Sequence, residues 1–324
     1  MKGLRITGKV LLNIVVVLIV LLLLLHLGVT ALYFDFFLHS KGEFLVPGLD
    51  AAFVPQGFDY VQEDETYLIS GYMSDDTAAR VYVRDGEGNT HFVSLLRGDG
   101  SPYVEHAGGL CHNGKYLYVA GPGGVDVFSL ADVLAGHDPW QLGKIETGYD
   151  MAYCSFYNGY LLTGDFYYPE TYETPTAHRL ITPAGELNPS LMTVFQADSA
   201  APFGIDPAPV AAISTTERVQ GVCFNGDTVI LSTSYSVNSS HLYAYRFDES
   251  RQGTATVLGE SVPLYYLDSA NLTDTVTAPP MSEELIYKDG RVWVLNESAC
   301  NKYIYGKFLR GYQIFAYEME GDRD

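Results

Sequence analysis

The chain has 324 residues, 47% of them apolar, with 39 acidic against 19 basic side chains and a net charge of −20. So large an acidic excess repels polyphosphate, which excludes nucleic acid as a partner. The apolar fraction and the lack of low-complexity tracts exclude a disordered chain, and 25 Tyr with 32 Gly favour strands and tight turns.

Residues 1–9 form a short basic tail carrying Lys2, Arg5 and Lys9. The run VLLNIVVVLIVLLLLLHLGVTALYF at 10–34 follows, and roughly 20 apolar residues suffice to cross a bilayer as a helix. Cations before it, with Asp35 and Glu43 after it, place the N-terminus in the cytoplasm and residues 35–324 outside. The small-x-small triplet Val29–Ala31 would suit signal cleavage, but the apolar run exceeds the usual 7–15 residues of a signal peptide. An uncleaved signal anchor at 10–34, holding the protein in the cell membrane by a single pass, is therefore expected. Beyond it the chain carries 16 cations against 39 acids, net −23.

The remainder repeats one unit five times. PQGFDYVQEDETYLISGY from Pro55, AGGLCHNGKYLYVAG, AYCSFYNGYLLTGDF, VQGVCFNGDTVILSTSY and EELIYKDGRVWVLNES each read as strand, turn, strand. Four turn on Asn-Gly or Asp-Gly between apolar runs, the strongest short-range hairpin signal. A third strand follows each hairpin: ARVYVRD, GVDVFSL, AHRLIT, HLYAYRFD and YQIFAYEM. Four units offer a fourth: HFVSLL, PWQLGKI, LMTVFQ and ATVLGE. Four antiparallel strands repeated radially make a β-propeller. The all-β class with five blades is favoured, and six is the alternative because the insertions at 185–218 and 249–280 are long enough to hide strands. The fifth unit lacks a fourth strand, and GEFLVPG at 42–48 is expected to supply it and close the ring.

Small residues recur five positions before the turn glycine, at Gly57, Gly109, Cys154 and Gly221, where blades crowd the axis. Cys111 and Cys223 hold one repeat position in non-adjacent blades, too far apart for a disulfide, and read as buried apolar groups; Cys300 is expected in a loop as a free thiol.

The longest connections follow the second strands, so the face they share with the starts of the first strands is the expected working face. It gathers Gln56, Tyr153, Gln220 and Glu284 with His106, and Asp165, Ser234, Asn296 and Glu297 from the strand ends. Strand alternation lets only one of Glu283 and Glu284 point with Gln56 and Gln220, and the spacing selects Glu284. Tyr167 and Tyr168 in DFYYPETY offer a platform for stacking a sugar. Read as a metal site, the face assigns Glu284, Asp165 and Asn296 to one Ca²⁺ or similar divalent cation; read as an enzyme, it assigns acid–base work to Glu284 and Asp165. The histidines lack zinc spacing, and there is no G-x-S-x-G elbow.

VPQGF, HAGGL, VQGVCF…ILSTSY…SSHLYAY and APPMSEEL…DG…VLNESACNKY resemble uncharacterised bacterial membrane-anchored β-propeller proteins. These are distantly similar to the gluconolactonase and strictosidine-synthase-like superfamily, over about residues 43–319. The resemblance implies a divalent cation on the axis and lactone hydrolysis by activated water. The first blade, however, has Pro55-Gln56-Gly57 where that superfamily commonly has Glu-Gly-Pro. The leading expectation is a module recognising a small molecule, glycan, peptide or protein at the working face. A metal-dependent lactonase or esterase is the alternative, and a structural envelope protein a further one.

Overall fold

The structure is a computed structural model and describes residues 2–319. Met1, the side chains of residues 2–7 (Lys2 and Arg5 of the basic tail among them) and the terminal EGDRD stretch at 320–324 lie outside the described part.

The chain begins with helix α1 (Lys2–Leu32), whose stretch Gly8–Leu32 is long and apolar enough to span a membrane. A short helix, α2 (Phe34–Leu38), leads into strand β1 (Ser40–Leu45). Five radial sheets follow. Blade one holds β2 (Phe53–Val61), β3 (Thr66–Met73), β4 (Arg80–Arg84) and β5 (Thr90–Ser94). Blade two holds β6 (Leu110–His112), β7 (Tyr116–Gly121), β8 (Gly124–Ser129) and β9 (Gly143–Glu146). Both run in simple antiparallel order, as the hairpin wording requires.

Blade three opens with β10 (Tyr153–Tyr157) and β11 (Tyr160–Gly164). Its third strand corrects the sequence reading. Leu180–Ile181 (β12) of AHRLIT pairs only with Leu187–Asn188 (β13) in a small separate hairpin. LMTVFQ, within β14 (Ser190–Ala197), takes the third place, and β15 (Ile205–Thr215) takes the fourth. The longer apolar run fills the buried slot, leaving the two-residue pair in the loop.

Blade four holds β16 (Val219–Asn225), β17 (Thr228–Thr233) and β18 (Ser240–Arg246). ATVLGE is not its fourth strand. That stretch spans the end of β19 (Gln252–Val257), the turn after it and the first residue of β20 (Glu260–Tyr266), and the two strands form a hairpin on the edge of blade three, β20 parallel to β15. Val257, Val262 and Leu264 there cover Leu191 and Ala212, hiding an edge that would otherwise be open. The fourth strand of blade four is β21 (Leu272–Ala278).

Blade five holds β22 (Ser282–Lys288), β23 (Arg291–Asn296) and β24 (Gln313–Tyr317), completed by β1 on the outer edge. Ser40 pairs with Tyr317 and Leu45 with Gln313. Innermost strands touch their neighbours all the way round, including β2 against β22, so the ring is closed. The protein is a five-bladed β-propeller with an N-terminal apolar helix. Gly114, Gly159, Gly226 and Gly290 have positive φ at the tight turns of four inner hairpins, on the face opposite the long loops. All four cysteines are free and buried, Cys300 included.

Candidate functional site at the mouth of the axis

Three innermost strands carry a bulge at the same level. Pairing slips between Pro55 and Gly57 in β2, between Val219 and Gly221 in β16, and between Ser282 and Leu285 in β22. Gln56, Gln220 and the pair Glu283–Glu284 are the residues so displaced. A bulge puts two residues opposite one and re-aims their side chains, which defeats strict alternation. Both glutamates are buried.

Glu284 sits deepest. Its carboxylate is wedged between the bare backbones of Gly109 in blade two and Gly221 in blade four. A Cβ at Gly221 would lie 2.7 Å from the Glu284 Cα, so the glycine is required by close approach. Glu284 Oε1 accepts a hydrogen bond from Val222 N at 3.1 Å, while Oε2 has no partner. Burial pushes this carboxyl well above the usual range; Cys154 and Asp59 act in the same direction and the Val222 N–H opposes them.

Nearer the opening, Gln56 Nε2 donates to Glu297 Oε2 at 3.0 Å. Burial raises Glu297 to about 7, against the Gln56 hydrogen bond and Lys302. Glu283 is raised too, first by burial and then by Glu297 and Glu284, and its Oε1 is unpartnered. Beside them the Tyr72 ring stacks on His106 with centroids 4.4 Å apart. Lys302 Nζ donates to the Tyr72 hydroxyl at 2.6 Å and lies 5.3 Å from the centre of the Tyr303 ring. His106 has a solvent-exposed edge inside a dense surround, and crowding, with Lys302 adding to it, pushes the imidazole below its usual pKa. Three non-glycine residues just before innermost strands, Ala107, Arg218 and Met281, have positive φ, a strain of about 1–2 kcal/mol each.

On the same face, between blades three and four, lies a cavity of about 310 Å³. Tyr167, Tyr243, Thr216, Thr233 and the ion pair Arg218–Glu217 (2.6 Å) line it, with Pro169 and Leu187. Tyr167 thus faces a cavity, whereas Tyr168 stacks on Tyr235 at 3.8 Å and has that ring face covered. Ser234 is buried and its N–H donates to the Arg218 carbonyl, anchoring the cavity wall.

The remaining expected site residues are bound into the fold. Asp165 is buried, accepting from Leu191 N at 2.8 Å and lying 2.5 Å from His178 Nδ1. Tyr153 is fully buried under Gly164. Asn296 is buried in the β22–β23 pairing opposite Ser282. Gln220 is half-buried at its bulge. Among the described residues no group of three or more His, Cys, Asp or Glu side chains is arranged to hold a metal ion. Glu283, Tyr72, Lys302 and Tyr303 were not among the expected site residues. For Lys302 and Tyr303 the signal was the loop ACNKYIYGKFLRG, whose length was legible but whose return across the mouth was not; Tyr72 and Glu283 lie in β3 and β22.

No protein-family model matches the sequence, and no curated protein matches it. Solved structures do. A glucose dehydrogenase is 11% identical with a TM-score of 0.44, covering 86% of this chain and 99% of its own. Glutaminyl cyclase from Myxococcus xanthus is 11% identical with a TM-score of 0.43, covering 87% and 95%. A gluconolactonase-family structure is 13% identical with a TM-score of 0.38, covering 87% and 92%. No functional argument rests on identities and TM-scores this low.

Proposed function

We propose that this chain is a membrane-anchored, extracytoplasmic recognition module whose ligand is a neutral carbohydrate held at the working face. The asymmetry of charge around the apolar helix supports the placement outside the cytoplasm. One observation carries the ligand class: the cavity of about 310 Å³ whose walls combine the Tyr167 and Tyr243 rings, two threonine hydroxyls and the Arg218–Glu217 pair. Aromatic walls with a few polar groups, donors beside acceptors, suit a ring with an apolar face and hydroxyl edges. The volume is at the low end for small-molecule sites and matches a sugar of one or two rings. The acidic body disfavours anionic ligands.

Full-length protein in nanodiscs, titrated calorimetrically with neutral mono- and disaccharides, tests this. At least one saturable binder is expected, weakened about tenfold by Tyr167→Ala, which is about 1.4 kcal/mol. Tyr160→Ala, at the turn on the opposite face, should leave binding unchanged. A panel without a binder, or binding indifferent to Tyr167→Ala, refutes the proposal.

A further inference from the structure

Strand direction in blade five fixes how the propeller faces α1. β24 starts at the working face, just after the 3₁₀ turn Ile304–Leu309, and runs away from it. β1 runs antiparallel to β24, so Ser40 lies at the opposite face and Leu45 at the working face. Phe36, in the helix that precedes β1, stacks on Tyr317 at 5.4 Å, low on the flank. Going back along the chain, Tyr33 OH lies 3.0 Å from Ser239 Oγ, and Arg310 Nη1 donates to Thr30 Oγ1 at 2.9 Å. Ser239 and Arg310 both belong to working-face loops. The helix therefore climbs the flank and leaves the propeller on the side where the mouth opens; residues 8–28 are exposed beyond it.

The rim beside that exit is apolar. Ile304 is 71% exposed, Tyr305 48%, Phe308 43% and Tyr312 36%, and Leu32 and Leu45 are exposed next to them. Cations accompany these residues: Lys307 is exposed, and Arg310 lies 4.0 Å over the Phe37 ring. In a body of net charge −23, this is a local reversal of sign.

We propose that residues 303–312 form a lip that seats in the headgroup and upper acyl region of the bilayer spanned by α1, so that the mouth opens toward the membrane surface. The occupant is a lipid interface, because the patch is continuous with the apolar helix and contacts it directly. Aromatic residues flanked by Lys and Arg suit such a boundary. Lengths agree: 25 residues at about 1.5 Å each give about 37 Å, against a hydrocarbon core of about 30 Å, which leaves the last turn at the interface where it meets the lip. The same loop carries Lys302 and Tyr303 into the mouth, so a ligand would be met close to the lipid headgroups.

The inference rests on α1 crossing a bilayer and is independent of the carbohydrate reading. Its test uses full-length protein in phosphatidylcholine nanodiscs with and without nitroxide-labelled lipid, comparing Phe308→Trp, Ile304→Trp and Glu63→Trp with the wild type. Glu63 lies at a turn on the far face. The emission added by Trp at 308 and at 304 should be quenched at least twofold by nitroxide lipid, and that at 63 left unchanged, with melting curves reporting folding of each variant. Quenching at 308 and 304 no greater than at 63 overturns the lip. A chain that fails to enter nanodiscs overturns the anchor, and the lip with it.

Discussion

Replacing Glu297 by Gln should remove a pH dependence built into the mouth. Burial holds the Glu297 carboxyl at about 7, above its ordinary value of 4.5. A group whose folded pKa is raised binds more protons in the folded state, so stability falls as pH rises between the two values. Raising a carboxyl from 4.5 to about 7 corresponds to about 3 kcal/mol in full, of which about 2 kcal/mol falls between pH 5 and 7.5. Gln keeps an oxygen to accept from Gln56 and carries no charge, so it is insensitive to this titration. His106, pushed down, works in the opposite direction over the acidic part of the window, which is why the variant must be compared with the wild type. Glu297 is one of the groups that raise Glu283, so the substitution also relieves that neighbour. Urea denaturation of both proteins at pH 5 and 7.5 measures the effect. The wild type should lose about 2 kcal/mol relative to Glu297→Gln across that interval. An equal response of the two proteins, or a loss confined to the variant, would refute the reasoning about burial at this site.

The axis and the ring closure give further expectations. Gly221→Ala places a Cβ 2.7 Å from the Glu284 Cα and 3.1 Å from the Leu285 N, both main chain of the next blade. Blades four and five must part, at about 1–3 kcal/mol, read as a lower urea midpoint. Phe44→Ala removes a buried ring from the closing strand, where it lies 4.9 Å from Tyr67 and under Arg84. A loss of about 3–5 kcal/mol is expected, with aggregation on size exclusion as the β24 edge is freed; a monodisperse variant of wild-type stability would show that β1 does not hold the ring.

The elements legible in the sequence were those specified by neighbours in the chain. Asn113-Gly114 and Asp289-Gly290 fix hairpins whatever lies around them, and the apolar run at 10–34 is helical by length and composition alone. The small residues Gly57, Gly109 and Gly221 likewise announced a crowded axis, and one missing strand in the last unit matched one surplus strand near the anchor. Tertiary structure decided whatever depends on competition between distant segments. LMTVFQ and ATVLGE read equally well as outer strands, and only the open edge of blade three determined that the second would cross to it. The bulge in β22 falls at Glu283 and Glu284, both of which are buried, and the loop from Glu297 brought Lys302 and Tyr303 over the mouth. Turn chemistry is local and can be read directly; the burial that raises a carboxyl's pKa, and the side from which a helix leaves a blade, exist only once remote strands have paired.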